Sequence, residues 1–458
     1  MKFYFLIIYV TCLYTITNAQ NTTEPLKTID DFLSIEYSKK EPGAVVLIAK
    51  NGNILFEKAY GLASLKPKRK LKSNMVFQIG SMSKQFVSAA VLQLVEQGKL
   101  NLEDPIQNYV PYYPKKKYPV TIHHLLSQTS GIPDYFDVDD NEFDLLAKTY
   151  TPKQLIDFYK NQPLNFKPGE QWQYSNSNYP LLGLAIENVS GLSLRTYLDR
   201  YIFQPLNMSA TGLWYTDTTK EKNIVTGYYT RNNRFLEGPK ISSSALYAPG
   251  GIVSTVDDLL KWNEALKNRT IISEFVVNHL IEEQKTLDGK GTGYGYGLAL
   301  KNVQGSPTIQ HSGILFGFTS TGMYLPNEDI YVCILSNSKF DRTEELANYC
   351  ASMILNKPLK IYSKTEISKE LLNDYLGTFK LQSETLERTF ELLVFDNQLI
   401  LHDPNAPQND AVLTPAGTDQ FVLKTAGAYF QFNRNDKGKV ISYVIKQGKD
   451  TFFFKKVN

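Results

Sequence analysis

Ser81 and Lys84 stand three residues apart in Ile79-Gly80-Ser81-Met82-Ser83-Lys84, just ahead of a stretch with helical apolar spacing (Val87, Val91, Leu94, Val95). A serine at a helix start sits beside backbone N–H groups and the positive end of the helix dipole, which suits a nucleophile gathering negative charge. A lysine three positions on lies one turn away on the same face, within reach of the serine proton. Partial burial would lower its ammonium pKa and make it a usable base. Such a pair also arises by chance in a chain of this length, and it equally describes a capped helix with a surface lysine. Two further clusters add weight. Tyr174 and Asn176 lie in Gln173-Tyr-Ser-Asn-Ser-Asn-Tyr179, after the Pro168-Gly169 turn and before the helical run Pro180–Glu187. His311-Ser312-Gly313 opens a strand pattern and is followed by Gly317-Phe318.

In this order, Ser81-x-x-Lys84, Tyr174-x-Asn176 and a Gly-ended triad near the last strands resemble the serine β-lactamase and penicillin-binding-protein superfamily. The resemblance runs from about Phe32 to Leu355. It is nearest the branch of class C β-lactamases, D-Ala-D-Ala carboxypeptidases, D-aminopeptidases and family VIII esterases. His124–Gly131 resembles the family's stretch before its lid region, and Ala248–Thr255 its middle segment. The resemblance implies a hydrolase in which Ser81 attacks a carbonyl and forms an acyl-enzyme. Tyr174 is then the expected proton acceptor and Lys84 its electrostatic partner or co-base. Asn176 orients the substrate amide and Lys84, and the backbone N–H groups of Ser81 and Ile314 form the oxyanion hole. A phenol acting as base at pH 7 needs its pKa lowered by about three units, or about 4 kcal/mol. No metal or cofactor is required.

The triad departs from many relatives in its first residue, His311 where a lysine is common. Lysine is charged at pH 7 and pairs with a substrate carboxylate, whereas histidine near pKa 6.5 is mostly neutral. Losing that charge-assisted bond costs about 1.5–3 kcal/mol in recognising a free carboxylate. Small esters, peptides and amides are therefore expected ahead of β-lactam-like substrates, with carboxylate binding improving below about pH 6.5. His311, Ser312, Gly313 and Ile314 are the expected substrate-binding positions with Asn176. A true β-lactamase or carboxypeptidase is the same-class alternative. A penicillin-binding sensor without turnover, or a protein whose C-terminal part holds a ligand, is the alternative from another class. The acidic run Pro133–Asp144 reads as a solvated loop, with an amine-bearing substrate as its functional alternative.

The elements that must position these residues are legible in outline. Gly43–Tyr60 carries two β-rich runs around Asn51-Gly52, a hairpin signal. Strand patterns return over Ile309–Ser338, including the dense run Ile330–Ser336, and Glu344–Leu355 reads as a closing helix. Strands at both ends with helices between them predict a large α+β domain whose sheet joins the N- and C-terminal parts; the family resemblance implies an antiparallel sheet flanked by helices, plus a helical subdomain. Past Pro358, short β-rich segments (Tyr375–Leu381, Thr389–Phe395, Gln398–Leu401, Gln420–Leu423, Tyr429–Asn433, Val440–Ile445, Thr451–Lys455) predict a small antiparallel barrel or sandwich. Thr414–Gly417 reads as a turn between two of them. The expected units are 1–19, 20–360 and 365–458.

The first unit is a secretory signal peptide: Lys2, an apolar stretch Phe3–Leu13, and small residues up to Ala19. It is too short to span a bilayer, so a secreted or periplasmic protein without stable membrane insertion is expected. The 49 basic and 46 acidic residues leave a net charge of +3, too little for a nucleic-acid footprint. A 42% hydrophobic fraction excludes a disordered chain, and three cysteines in 458 residues exclude a disulfide scaffold. Cleavage after Ala19 would leave Cys333 and Cys350, read as two buried free thiols. His123, His124, His279 and His402 show no metal-ligand spacing. Gly293, Gly295 and Gly297 lie in a strand-like stretch that no helix follows, which makes a phosphate cradle a poor reading.

Overall fold

The computed structural model describes residues 24–457 apart from 138–145, 214–222, 232, 233, 240, 270, 340, 360–366, 384–386, 396, 397, 405–409, 424–427, 448 and 449. The expected signal segment, most of the acidic run and part of the expected boundary between the last two units lie outside the described residues.

Its frame is an antiparallel sheet. Strands β1 (Ala44–Lys50), β2 (Asn53–Tyr60), β3 (Ala299–Val303), β4 (Ser306–Leu315), β5 (Phe318–Leu325) and β6 (Ile330–Ser336) are ordered β3-β4-β5-β6-β1-β2. An early strand and a late one meet inside the sheet, where Leu47 pairs with Cys333 across β1 and β6. Both of these strands are covered on both faces, which is why they read as unbroken apolar runs without alternation. On one face Val45, Leu47, Cys333 and Leu335 join a core with helices α1 (Lys84–Glu96), α2 (Asn178–Ser190) and α3 (Val256–Asn268). On the other, Val46, Ile48, Val332 and Ile334 pack with Leu346, Ala347 and Cys350 of α4 (Thr343–Ile354). Cys333 and Cys350 thus belong to different cores on opposite faces, and both are free thiols.

Helix α1 departs from its amphipathic reading. Every residue from Lys84 to Leu92 is buried, polar ones included, so the helix runs through the interior and carries the lysine with it. Ser81 precedes it in a single 3-10 turn, Gly80–Ser83.

The C-terminal part is a closed antiparallel barrel of strands β7 (Gly377–Leu381), β8 (Thr389–Phe395), β9 (Gln398–His402), β10 (Ala411–Gly417), β11 (Gln420–Leu423), β12 (Ala428–Arg434), β13 (Val440–Gln447) and β14 (Asp450–Lys456). Strand β10 contains the residues expected to form a turn. Its pairing with β11 is irregular between Pro415 and Gly417, so a proline and a glycine that read as turn punctuation sit at a bulge. Phe379, Phe421, Phe430, Phe432, Tyr443 and Phe454 fill the interior, with ring centroids such as Tyr443–Phe454 4.8 Å apart. A barrel packed this way resembles a core more than a ligand chamber. The Tyr429 hydroxyl donates to Glu345 of α4, joining barrel to sheet. Among the described residues no helix is long and apolar enough to cross a membrane.

Candidate active site

Lys84 is held by three partners in the cleft. Its Nζ lies 3.1 Å from Ser81 Oγ, 2.8 Å from Asn176 Oδ1 and 2.9 Å from the Pro249 carbonyl oxygen. The last two partners can only accept hydrogen bonds. They therefore hold two N–H groups of the amine, and the third direction, toward Ser81, is free to be either an N–H or a lone pair. Burial on the first turn of α1 pushes the Lys84 pKa down to about 7, partly countered by the negative charge of Asp134. A neutral amine so placed can accept the Ser81 proton.

Pro249 reaches Lys84 through an unusual backbone. Tyr247, two residues earlier, has φ +30° and ψ −121°, a sparsely populated conformation for a non-glycine residue. Its ring lies so close over Gly183 of α2 that a Cβ on Gly183 would sit 2.7 Å from it.

Tyr174 and Asn176 are carried by a loop clamped from below. Gln128 Oε1 accepts from Ser175 N at 2.9 Å and from Asn178 Nδ2 at 2.5 Å, while Ser130 Oγ donates to Asn178 Oδ1. The stretch 124–131 is thus the seat of this loop. Lys84 Nζ is 4.9 Å from the centroid of the Tyr174 ring. The Tyr174 hydroxyl is buried; Ser81 beside it favours the phenolate but makes no well-aligned hydrogen bond. Burial dominates and pushes the Tyr174 pKa up, opposite to the depression expected of a phenolate base. The physical reason is that water is excluded from the hydroxyl while the nearest cation is itself poised to lose its proton.

His311 is buried in β4 with both ring nitrogens engaged. Nδ1 lies 2.7 Å from the Ser312 carbonyl oxygen, which can only accept, so Nδ1 carries the proton. Nε2, 3.1 Å from the Tyr294 hydroxyl, must then accept from it. Burial, with Lys84 adding to it, pushes the His311 pKa down to about 3. The charge change expected near pH 6.5 is therefore moved far below it by burial. Ser312 also departs from expectation: its hydroxyl faces away from the cleft, donating to Glu344 Oε2 of α4 at 3.1 Å. This follows from the alternation of a strand whose neighbouring residues His311 and Gly313 face inward. Gly313 is where β4 touches the turn that carries Ser81. A Cβ there would lie 2.1 Å from the Ile79 carbonyl oxygen, and one on Gly80, itself at φ +52°, would lie 3.2 Å from Ile314 N. The two glycines bring the Ile314 N–H beside the Ser81 turn, where an oxyanion can be held.

Residues 21–350 match the Beta-lactamase family. The chain belongs to the beta-lactamase family. It is similar to Penicillin-binding protein 4* of Bacillus subtilis, 27% identical over 435 residues covering 90% of this chain and 94% of that one. An octameric penicillin-binding protein homologue from Pyrococcus abyssi superposes with a TM-score of 0.68 at 26% identity, over 94% of this chain and 99% of the other. A D-amino acid amidase from Ochrobactrum anthropi shares the fold, with a TM-score of 0.63 at 22% identity over 73% of this chain and 99% of that one. The family is one of serine hydrolases; its match spans the sheet and most of the helices, and the C-terminal barrel lies beyond it.

Within this beta-lactamase family site, three groups escaped the sequence reading. Asp134 falls in an acidic run whose sequence reads as a solvated loop, yet its Oδ2 accepts from Asn176 N and Asn176 Nδ2, both at 2.8 Å. Tyr294 lay in the glycine-rich stretch set aside as a poor phosphate cradle. The Pro249 carbonyl, being backbone, has no side-chain signature at all. Only the Pro-Asp pair directly after Gly131-Ile132 marked Asp134 as part of a turn.

Proposed function

We propose that this protein is an exported serine hydrolase that transfers the acyl group of small esters and amides, including D-amino-acid amides or peptides, to Ser81 and then to water, without relying on a substrate carboxylate for recognition. The observation that carries the reading is Ser81 Oγ at 3.1 Å from a buried Lys84 whose other two hydrogen-bonding directions end on acceptors. At its ordinary pKa a lysine is neutral in about one molecule in a few thousand at pH 7; at about 7 it is neutral in about half. That gain favours Lys84 over Tyr174 as the base.

As Ser81 attacks the carbonyl carbon, its proton passes to Lys84. The Ser81–carbon bond forms, the carbonyl π electrons move to oxygen, and the oxyanion rests on the N–H groups of Ser81 and Ile314. Tyr174, which keeps its proton in the resting site, hands it to the departing oxygen or nitrogen and is reprotonated from the Lys84 side. Water then repeats the sequence on the acyl-enzyme. Asn176 holds Lys84 and offers its amide edge to the substrate. His311 brings no positive charge, so a free carboxylate finds no ionic partner there, and substrates that do not depend on one are favoured. Export rests on the apolar segment Phe3–Leu13 and the small residues before Ala19.

Purified protein assayed with a short-chain nitrophenyl ester, D-alanine nitroanilide and a chromogenic cephalosporin tests the reading. The ester or anilide should exceed the cephalosporin in kcat/KM by about 10-fold or more. A cephalosporin preferred over both would overturn the substrate class. Fast acylation without turnover would replace a hydrolase with a sensor.

A further inference from the structure

Asp134 has no place in the chemistry above, yet it controls two groups that do. Its Oδ2 takes both the backbone N–H and the side-chain Nδ2 of Asn176, and its Oδ1 takes the backbone N–H of Phe136 at 3.1 Å. The loop holding it is itself tied down: Ser177 Oγ donates to the Pro133 carbonyl oxygen at 2.6 Å and accepts from Tyr135 N at 2.9 Å. A carboxylate is acceptor-only and meets three N–H donors here, so it is bound as the anion.

This matters because a primary amide can sit two ways round in the same space. Turned over, Asn176 would point Nδ2 at Lys84 and Oδ1 at the carboxylate, a donor–donor and an acceptor–acceptor contact together. With Asp134 in place only one orientation satisfies both neighbours, and it is the one that gives Lys84 an acceptor.

We propose that Asp134 is a positioning residue that orients the Asn176 amide and, through it, aims the Lys84 amine at Ser81. Because Asn176 bridges the two groups, the negative charge of Asp134 also acts on the amine and favours its protonated form. The proposal rests on Lys84 being the base. Lys84 is faced by Asp134, by Tyr174 and Tyr179, whose ring centroids are 4.9 and 5.1 Å from Nζ, and by His311. Asp134 in turn is faced by Lys84, Tyr159 and Tyr174. Among these groups Asp134 is the one carboxylate, and burial pushes its own pKa up against the pull of its three N–H donors and of Lys84.

Two variants separate orientation from charge. Asp134→Asn keeps an acceptor for Asn176 and removes the charge. It should retain kcat at alkaline pH within about 3-fold and move the acid limb of kcat/KM to lower pH by about 0.5–1. Asp134→Ala frees the amide and should lower kcat by about 10- to 100-fold with KM changed less than about 3-fold. Because this effect runs through Asn176, it should shrink below about 3-fold when Asp134→Ala is made in an Asn176→Ala background. An unmoved acid limb in Asp134→Asn, or a full Asp134→Ala loss persisting without Asn176, overturns the proposal. A Ser81→Ala enzyme with undiminished activity would instead overturn the underlying mechanism.

Discussion

Lys84 Nζ lies 3.1 Å from Ser81 Oγ, one helical turn away, in a pocket where the lysine is buried and the serine reaches the cleft. The lysine pays for that burial with its proton, whose pKa falls from the usual lysine range to about 7. In the proposed mechanism the amine is the active form, so kcat/KM should rise with pH through an apparent pKa near 7 and level off above it. A pH–rate profile from 5 to 9 measures this. Lys84→Arg cannot lose its proton in that range and should reduce kcat/KM by at least about 100-fold at every pH. A flat profile would remove Lys84 from the proton transfer.

His311 makes a separate prediction with the opposite outcome in the same range. It stays neutral in the folded protein down to about pH 3, so the affinity of a carboxylate-bearing inhibitor should show no step near 6.5.

The same residue should leave a mark on stability. Below pH 6.5 the unfolded chain protonates this histidine and the folded one does not, so the unfolded state binds more protons and stability falls as pH drops toward 3. The slope is at most about 1.4 kcal/mol per pH unit from this one group. Urea unfolding at pH 6, 5 and 4 should be less pH-dependent in His311→Gln by up to that amount.

Gly313→Ala tests the oxyanion site through the backbone. The added Cβ would meet the Ile79 carbonyl oxygen at 2.1 Å, and neither partner is a mobile side chain. Strand β4 must move off the Ser81 turn and take the Ile314 N–H with it. Loss of one oxyanion donor costs about 100- to 1000-fold in kcat, which steady-state kinetics should record with little change in KM.

What was legible in the sequence and what was not divides along physical lines. Strands β1 and β6 and helix α4 were readable because covering both faces, or one, imposes a local pattern. Ser81 and Lys84 were readable because four residues fix their separation. Tyr174, Asn176 and His311 came from resemblance, since nothing local says that residues so far apart in the chain share a cleft. Asp134 and Tyr294 were missed for the same reason: one sits in an acidic run and the other among glycines, and only tertiary contact gives either a role. The direction of the Tyr174 pKa could not be read either, because it depends on how completely the fold excludes water. Strand β10 was hidden by the proline and glycine at its bulge.

The most direct test of the mechanism is intact-protein mass after brief reaction with a nitrophenyl ester, followed by acid quench, for wild type and Ser81→Ala. The wild type should gain the mass of one acyl group, mapped to the peptide holding Ser81, and the variant should gain none and lose hydrolysis. An unmodified wild type that turns over at full rate, or a Ser81→Ala variant that does, would contradict it.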